Sequence, residues 1–76
     1  MPLTARQEQV LRAVIEEYIA GGAPVGSRLL SERFHFGVAA STIRNDLAEL
    51  EDMGMLAHPH TSAGRVPTDA GYRHYV

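Results

Sequence analysis

The 76-residue sequence contains no cysteine. That excludes a disulfide scaffold, a thiolate zinc finger and a cysteine nucleophile. Lysine is missing too, and all seven basic residues are arginine. The diffuse phosphate attraction of lysine is therefore absent, while each arginine keeps its charge and can grip a phosphate or a guanine edge with two donors. No apolar run approaches the about 20 residues that span a bilayer, and the start lacks the basic-then-apolar order of a signal peptide. The expectation is a soluble, cytoplasmic protein that does not enter membranes. An excess of positive charge is also lacking, with a net charge of -2 and a pI near 6.0. Nucleic-acid-binding domains are usually basic, so the total argues weakly against such a partner. Length is short as well. A chain of this size buries roughly 60% of its unfolded surface, enough for one small domain but not for a deep pocket between two. There are no internal repeats and no low-complexity segments. What remains is ordinary for a folded domain, with 45% hydrophobic and 21% charged residues.

The distribution of charge says more than its sum. Residues 1–20 carry -1, residues 21–45 carry +2, and residues 53–76 carry +1 with three of the four histidines. Residues 46–52 hold Asp46, Glu49, Glu51 and Asp52, a block of -4.

The spacing predicts a first helix over residues 4–20. Thr4 followed by Gln7 is a capping-box pattern, and Val10, Leu11, Val14, Ile15, Tyr18 and Ile19 form one apolar stripe. Gly21-Gly22 ends it and Pro24 keeps the chain extended. A short second helix follows from Ser27, read as its N-cap, to about Phe34, with Leu29, Leu30 and Phe34 on its buried side. A turn at His35–Val38 uses Gly37. The third helix runs from Ala39 or Ala40 to Met53, with Ile43, Leu47 and Leu50 inward and Ser41, Asn45, Ala48 and Asp52 outward. Thr42 and Arg44 flank the outer face. Gly54 then takes a left-handed conformation. Met55–His58 and Arg65-Val66 read as the strands of a small hairpin, the second stopped by Pro67. Thr68 caps a fourth helix with Asp69 in its first turn, and Gly71, Tyr72 and Tyr75 suggest packing by one face.

Helix, helix, turn, helix, hairpin is the order of a winged helix-turn-helix. The fold class is therefore mainly α, a three-helix core with a β-hairpin wing, occupying residues 1–76 as one domain. In such a fold the third helix enters the major groove of duplex DNA by its N-terminal end. Arg44 and Asn45 then face base edges. Ser27, Ser41 and Thr42 offer hydroxyls to phosphates, and Arg28 stands at the start of the second helix as a phosphate contact. Arg65, with His60, Thr61 and Ser62, places the wing along the neighbouring backbone or minor groove. The acidic block lies on the half of the helix that leaves the groove.

Three strings sharpen this reading. "GSRLLSE" at 26–32, "TIRNDLAELEDMGML" at 42–56 and "PHTSAGRVPTDAGYRHYV" at 59–76, with "LTARQEQVLRAVIEEYI" at the start, together resemble the N-terminal domain of the heat-inducible transcription repressor (HrcA) family. "TIRNDLAELE" is shared in related form by many winged-helix regulators, whereas the wing segment is more specific. The resemblance implies a bacterial repressor of chaperone operons. It implies binding to the CIRCE inverted repeat as a homodimer, activity linked to the chaperonin, and dimerisation and sensor regions following this domain. The chain departs from the family at Ala39-Ala40, where serines are often found, so a hydroxyl cap or phosphate contact there is missing.

Each feature has a plainer explanation. Arg28, Arg44 and Asn45 could be solvated helix surface. Arg65 could stiffen the hairpin by pairing with Asp69. Tyr18, Tyr72 and Tyr75 read as packing residues on amphipathic helices. A strand would set His58 and His60 on one face, but a metal site needs a third ligand and supporting groups that the sequence does not supply. Phosphate loops, zinc-protease helices and nucleophile–base pairs are absent, so neither an enzyme nor a cofactor is expected. The rival functions are a different bacterial regulator with the same module, and a winged helix used for protein–protein contact.

Overall fold

The computed structural model describes residues 3–76. Helix α1 covers Ala5–Gly21. Its capping box is complete: the Gln7 amide donates to Thr4 Oγ1 at 3.0 Å and the Thr4 amide donates to Gln7 Oε1 at 3.1 Å. Two otherwise orphaned amides are thereby satisfied. Val10, Leu11, Ala13, Val14 and Ile15 are buried. Tyr18 is half-buried, but Ile19 is 65% exposed, because the last turn of α1 runs past the core. The stripe is one residue shorter than its spacing predicts.

Helix α2 covers Ser27–Arg33. Gly26 occupies its N-cap in an extended conformation, and no side chain caps the helix. Ser27 is thus the first helical residue and not the cap, because the carbonyl of Gly26 already accepts the first helical hydrogen bond, from Leu30. Phe34 closes the helix, and Gly37, at φ +75°, turns the chain towards the next.

Helix α3 covers Ala40–Asp52 and buries Ile43, Leu47 and Leu50. These three meet Val10, Leu11, Val14 and Ile15 of α1 and Leu30 of α2 in one core. Each such side chain contributes about 1.5–3 kcal/mol by leaving water. Gly54, at φ +82°, redirects the chain into the wing.

Strands β1 (Leu56–Ala57) and β2 (Val66–Pro67) pair antiparallel, Leu56 opposite Pro67 and Ala57 opposite Val66. Pro67 is itself the last residue of the strand, so the strand stops at this proline and not before it. The ladder is only two residues long and ends at Pro67, where a missing amide breaks little. The hairpin also gains a neighbour that the sequence pattern hides. Val25, between α1 and α2, bridges to Arg65 through two hydrogen bonds of 2.8 Å. Gly64 makes this approach possible, since a Cβ there would lie 2.8 Å from the Pro24 carbonyl carbon and 2.9 Å from the Val25 amide nitrogen.

Helix α4 covers Asp69–Tyr75. The Thr68 hydroxyl accepts from the Gly71 amide at 3.1 Å and donates to the Gly54 carbonyl at 2.6 Å, tying α4 to the end of α3. The helix rests on α1, where His74 Nε2 is 2.6 Å from Glu8 Oε1 and the Arg12 guanidinium lies 5.6 Å from the Tyr75 ring centre.

Candidate nucleic-acid interface

The first two turns of α3 are built to face outward. With Ile43 and Leu47 fixed in the core, the helical period forces Ser41, Asn45 and Ala48 to the opposite side and Arg44 to its flank, and all four are exposed. Thr42 is half-buried at the edge. Arg44 has no acidic partner among the described residues. Ala39 caps α3 without a side-chain hydrogen bond, as the missing hydroxyl implies. The Thr42 amide turns back to the Ala39 carbonyl at 3.0 Å, so the Ala40 and Ser41 amides are the ones open to an outside acceptor, and the positive end of the helix dipole reinforces their pull on an anion.

The second half of α3 is different. Asp46 is 3% exposed and not part of a solvated acidic face. Arg6 Nε donates to Asp46 Oδ2 at 2.6 Å and Arg6 Nη2 to Oδ1 at 3.3 Å. The hydrogen bond to Asp46, then its charge, pushes the Arg6 guanidinium above its ordinary pKa. Gln7 donates its side-chain amide to Glu49. Glu51 Oε1 lies 2.8 Å from Arg65 Nε. Of the four carboxylates in the block, only Asp52 is left outward without a partner among the described residues. Asp46 falls three residues after Ile43 and one before Leu47, so the helical period placed it inward. Counting apolar residues alone missed it.

The other expected contact residues fall in two places. Ser27 is half-buried at the start of α2. Arg28 beside it is exposed, its side chain 93% accessible, with Nε 3.4 Å from Glu32 Oε2 one turn on. His60 and Thr61 are exposed at the wing tip. Ser62 is engaged within the wing, its hydroxyl accepting from the Gly64 amide at 3.0 Å and its carbonyl 2.6 Å from His58 Nε2. Arg65 is not paired with Asp69. Its side chain is only 12% accessible and is turned towards α3. The structure thus gathers Ser41, Thr42, Arg44 and Asn45 at one end of α3, leaves Arg28 and the wing tip exposed, and withdraws the Arg65 side chain. No described helix is long and apolar enough to cross a membrane.

Residues 28–68 match the DeoR-like helix-turn-helix domain, more than half of the chain, running from the second residue of α2 through the wing. The chain belongs to the DeoR-like helix-turn-helix family. The likeness read from the motif strings is also strong. The heat-inducible transcription repressor HrcA of Moorella thermoacetica is 55% identical over 76 residues, which is 100% of this chain and 22% of that protein. The repressor of the same name from Arthrobacter sp. (strain FB24) is 58% identical over 71 residues, 93% of this chain and 21% of its own length. The HrcA of Desulfitobacterium hafniense is 46% identical over all 76 residues. The chain corresponds to the N-terminal part of these repressors and spans about a fifth of their length. A crystal structure of a hypothetical protein superimposes with a TM-score of 0.93 at 45% identity, covering 96% of this chain and 24% of the other. The helical core with a two-stranded antiparallel sheet, the family match and this neighbour together make the fold a winged helix-turn-helix.

Proposed function

We propose that residues 1–76 form the DNA-reading unit of a heat-inducible transcription repressor, acting by operator occupancy and not by catalysis. The observation that carries this is the exposed, unpaired N-terminal half of α3, set in a helix-turn-helix whose relatives bear the name of that repressor. Arg44 and Asn45 reach base edges in the major groove, where arginine pairs with guanine and asparagine with adenine through two hydrogen bonds each. Ser41, Thr42 and the open amides of α3 hold phosphates, as do Ser27 and Arg28 at the start of α2. His60, Thr61 and Ser62 bring the wing against the neighbouring backbone, and Arg65 supports them from the base of the wing. The family resemblance supplies the rest of the proposal. The operator is the CIRCE inverted repeat, the intact cytoplasmic repressor occupies it as a homodimer, and the chaperonin modulates it. A gel shift of the CIRCE duplex against a scrambled duplex at two salt concentrations tests it. Preference for the repeat is expected, with affinity falling steeply in salt. Equal, salt-insensitive binding to both would overturn the proposal.

A further inference from the structure

Arg65 lies where three segments meet. Its backbone exchanges two hydrogen bonds of 2.8 Å with Val25, in the connection between α1 and α2. Its Nη1 donates to the Ala63 carbonyl at 2.8 Å within the wing. Its Nε faces Glu51 of α3 at 2.8 Å. That Nε is shut off from water, and its N–H does not point along the line to Glu51, so the contact is a charge pair and not a well-aligned hydrogen bond. A guanidinium withdrawn from water in this way needs its counter-charge, because the low-dielectric surroundings penalise an unpaired cation. Gly64 presses the same point onto the Pro24–Val25 backbone.

Glu51 follows Arg44 by seven residues, about two helical turns, so the two side chains leave α3 along the same edge of its buried stripe. The wing is therefore fastened to the very helix edge that carries Arg44. We propose that the Glu51–Arg65 pair is a strut that sets the position of the wing relative to the reading face of α3. Arg65 is then a positioning residue and contributes no phosphate contact of its own. This rests on the DNA-reading function above and adds to it a residue that acts only through geometry.

Two single variants, Glu51→Gln and Arg65→Met, and their combination decide the matter in the 76-residue chain. Two measurements are made. One is amide hydrogen exchange at Val25 and Arg65 in the free protein. The other is competition between CIRCE and scrambled duplexes over a range of salt. With a strut, both single variants speed exchange at the two amides and each lowers affinity for CIRCE roughly tenfold, while the double variant loses no more than either single one. The salt slope stays unchanged, because no phosphate loses a cation. The double variant, which leaves no buried charge unpaired, keeps the test open if Glu51→Gln alone unfolds. If Arg65 instead grips a phosphate, the signs separate. Glu51→Gln then tightens binding, Arg65→Met weakens it, and the slope falls by about one in the latter. That result overturns the strut, as does unchanged exchange in all three variants. Failure of the wild type to prefer CIRCE overturns the DNA-reading function itself, and the exchange measurement still decides whether the pair holds the wing.

Discussion

The two halves of α3 carry their charge in opposite ways. The first half holds Ser41, Arg44 and Asn45 outward, with Arg44 free of any acid among the described residues. In the second half Asp46 is buried against Arg6, Glu49 accepts from Gln7, and Glu51 is bound to Arg65. The difference teaches that a net charge of -2 is a poor guide to what the molecule shows a polyanion. Three of the four carboxylates in the acidic block are turned inward or sideways to fasten α1 and the wing, so they bind the fold together at one end of the helix. The other end keeps its one cation unspent.

The substitution with the largest expected effect breaks the comparison altogether. Leu47 lies between the two halves and is 2% exposed, so Leu47→Ala empties core volume beneath both. A loss of about 2–5 kcal/mol is expected in urea unfolding, a large share of what a domain this small possesses. A loss well under about 1 kcal/mol would mean that α3 presents a different face. Gly64→Ala comes next and acts on the fastened end alone. The new methyl meets backbone atoms of Pro24 and Val25, which yield less readily than a side-chain tip. Destabilisation of about 1–3 kcal/mol is expected, with faster amide exchange at Val25 and little change at Ile43.

On the reading end the stability cost should be small and the binding change selective. Arg44→Ala or Asn45→Ala should reduce discrimination between CIRCE and scrambled duplexes by about 1–3 kcal/mol, measured by competition titration. If both leave that ratio unchanged, α3 is not the reader. Arg28→Ala should have the smallest effect. It weakens both duplexes alike and lowers the salt slope by roughly one, as a phosphate contact does. Its pairing with Glu32 is too exposed for its removal to alter the melting curve.

Local physics made much of this molecule legible in its sequence. Thr4 and Gln7 announced a capping box, Gly54 a left-handed turn, Thr68 a cap, and the Ile43–Leu47–Leu50 stripe a buried face, and the structure has each of them. All depend on residues within a few positions of one another. The features that escaped notice join distant segments. Arg6 meets Asp46, Val25 bridges Arg65, and Arg65 prefers Glu51 to the nearby Asp69. No spacing rule encodes such pairs, because they exist only once the helices have packed. Ser27 failed for a subtler reason, since a residue with a good capping side chain yields the position when the preceding carbonyl already starts the helix. At the candidate interface, the exposure of the first half of α3 was readable because burial of one face dictates the other. The inward turn of the Arg65 side chain was not, because an arginine in a hairpin has equal freedom to reach outward or fold back.

The bridge between Val25 and Arg65 has an effect on how the wing can change over generations. Because the hairpin is secured at its base, its tip bears none of the fold's weight. Between β1 and Gly64 the hydrogen bonds are local, such as His58 with the carbonyl of Ser62. Loop-closure entropy grows only logarithmically, so doubling the length of such a tip costs about 0.6 kcal/mol. The exposed tip at His60 and Thr61 can therefore lengthen or exchange side chains while the helices keep their places, whereas Ser62 is held by the Gly64 amide. The tip is a replaceable part, and a lineage can retune what the wing touches without rebuilding the protein that carries it.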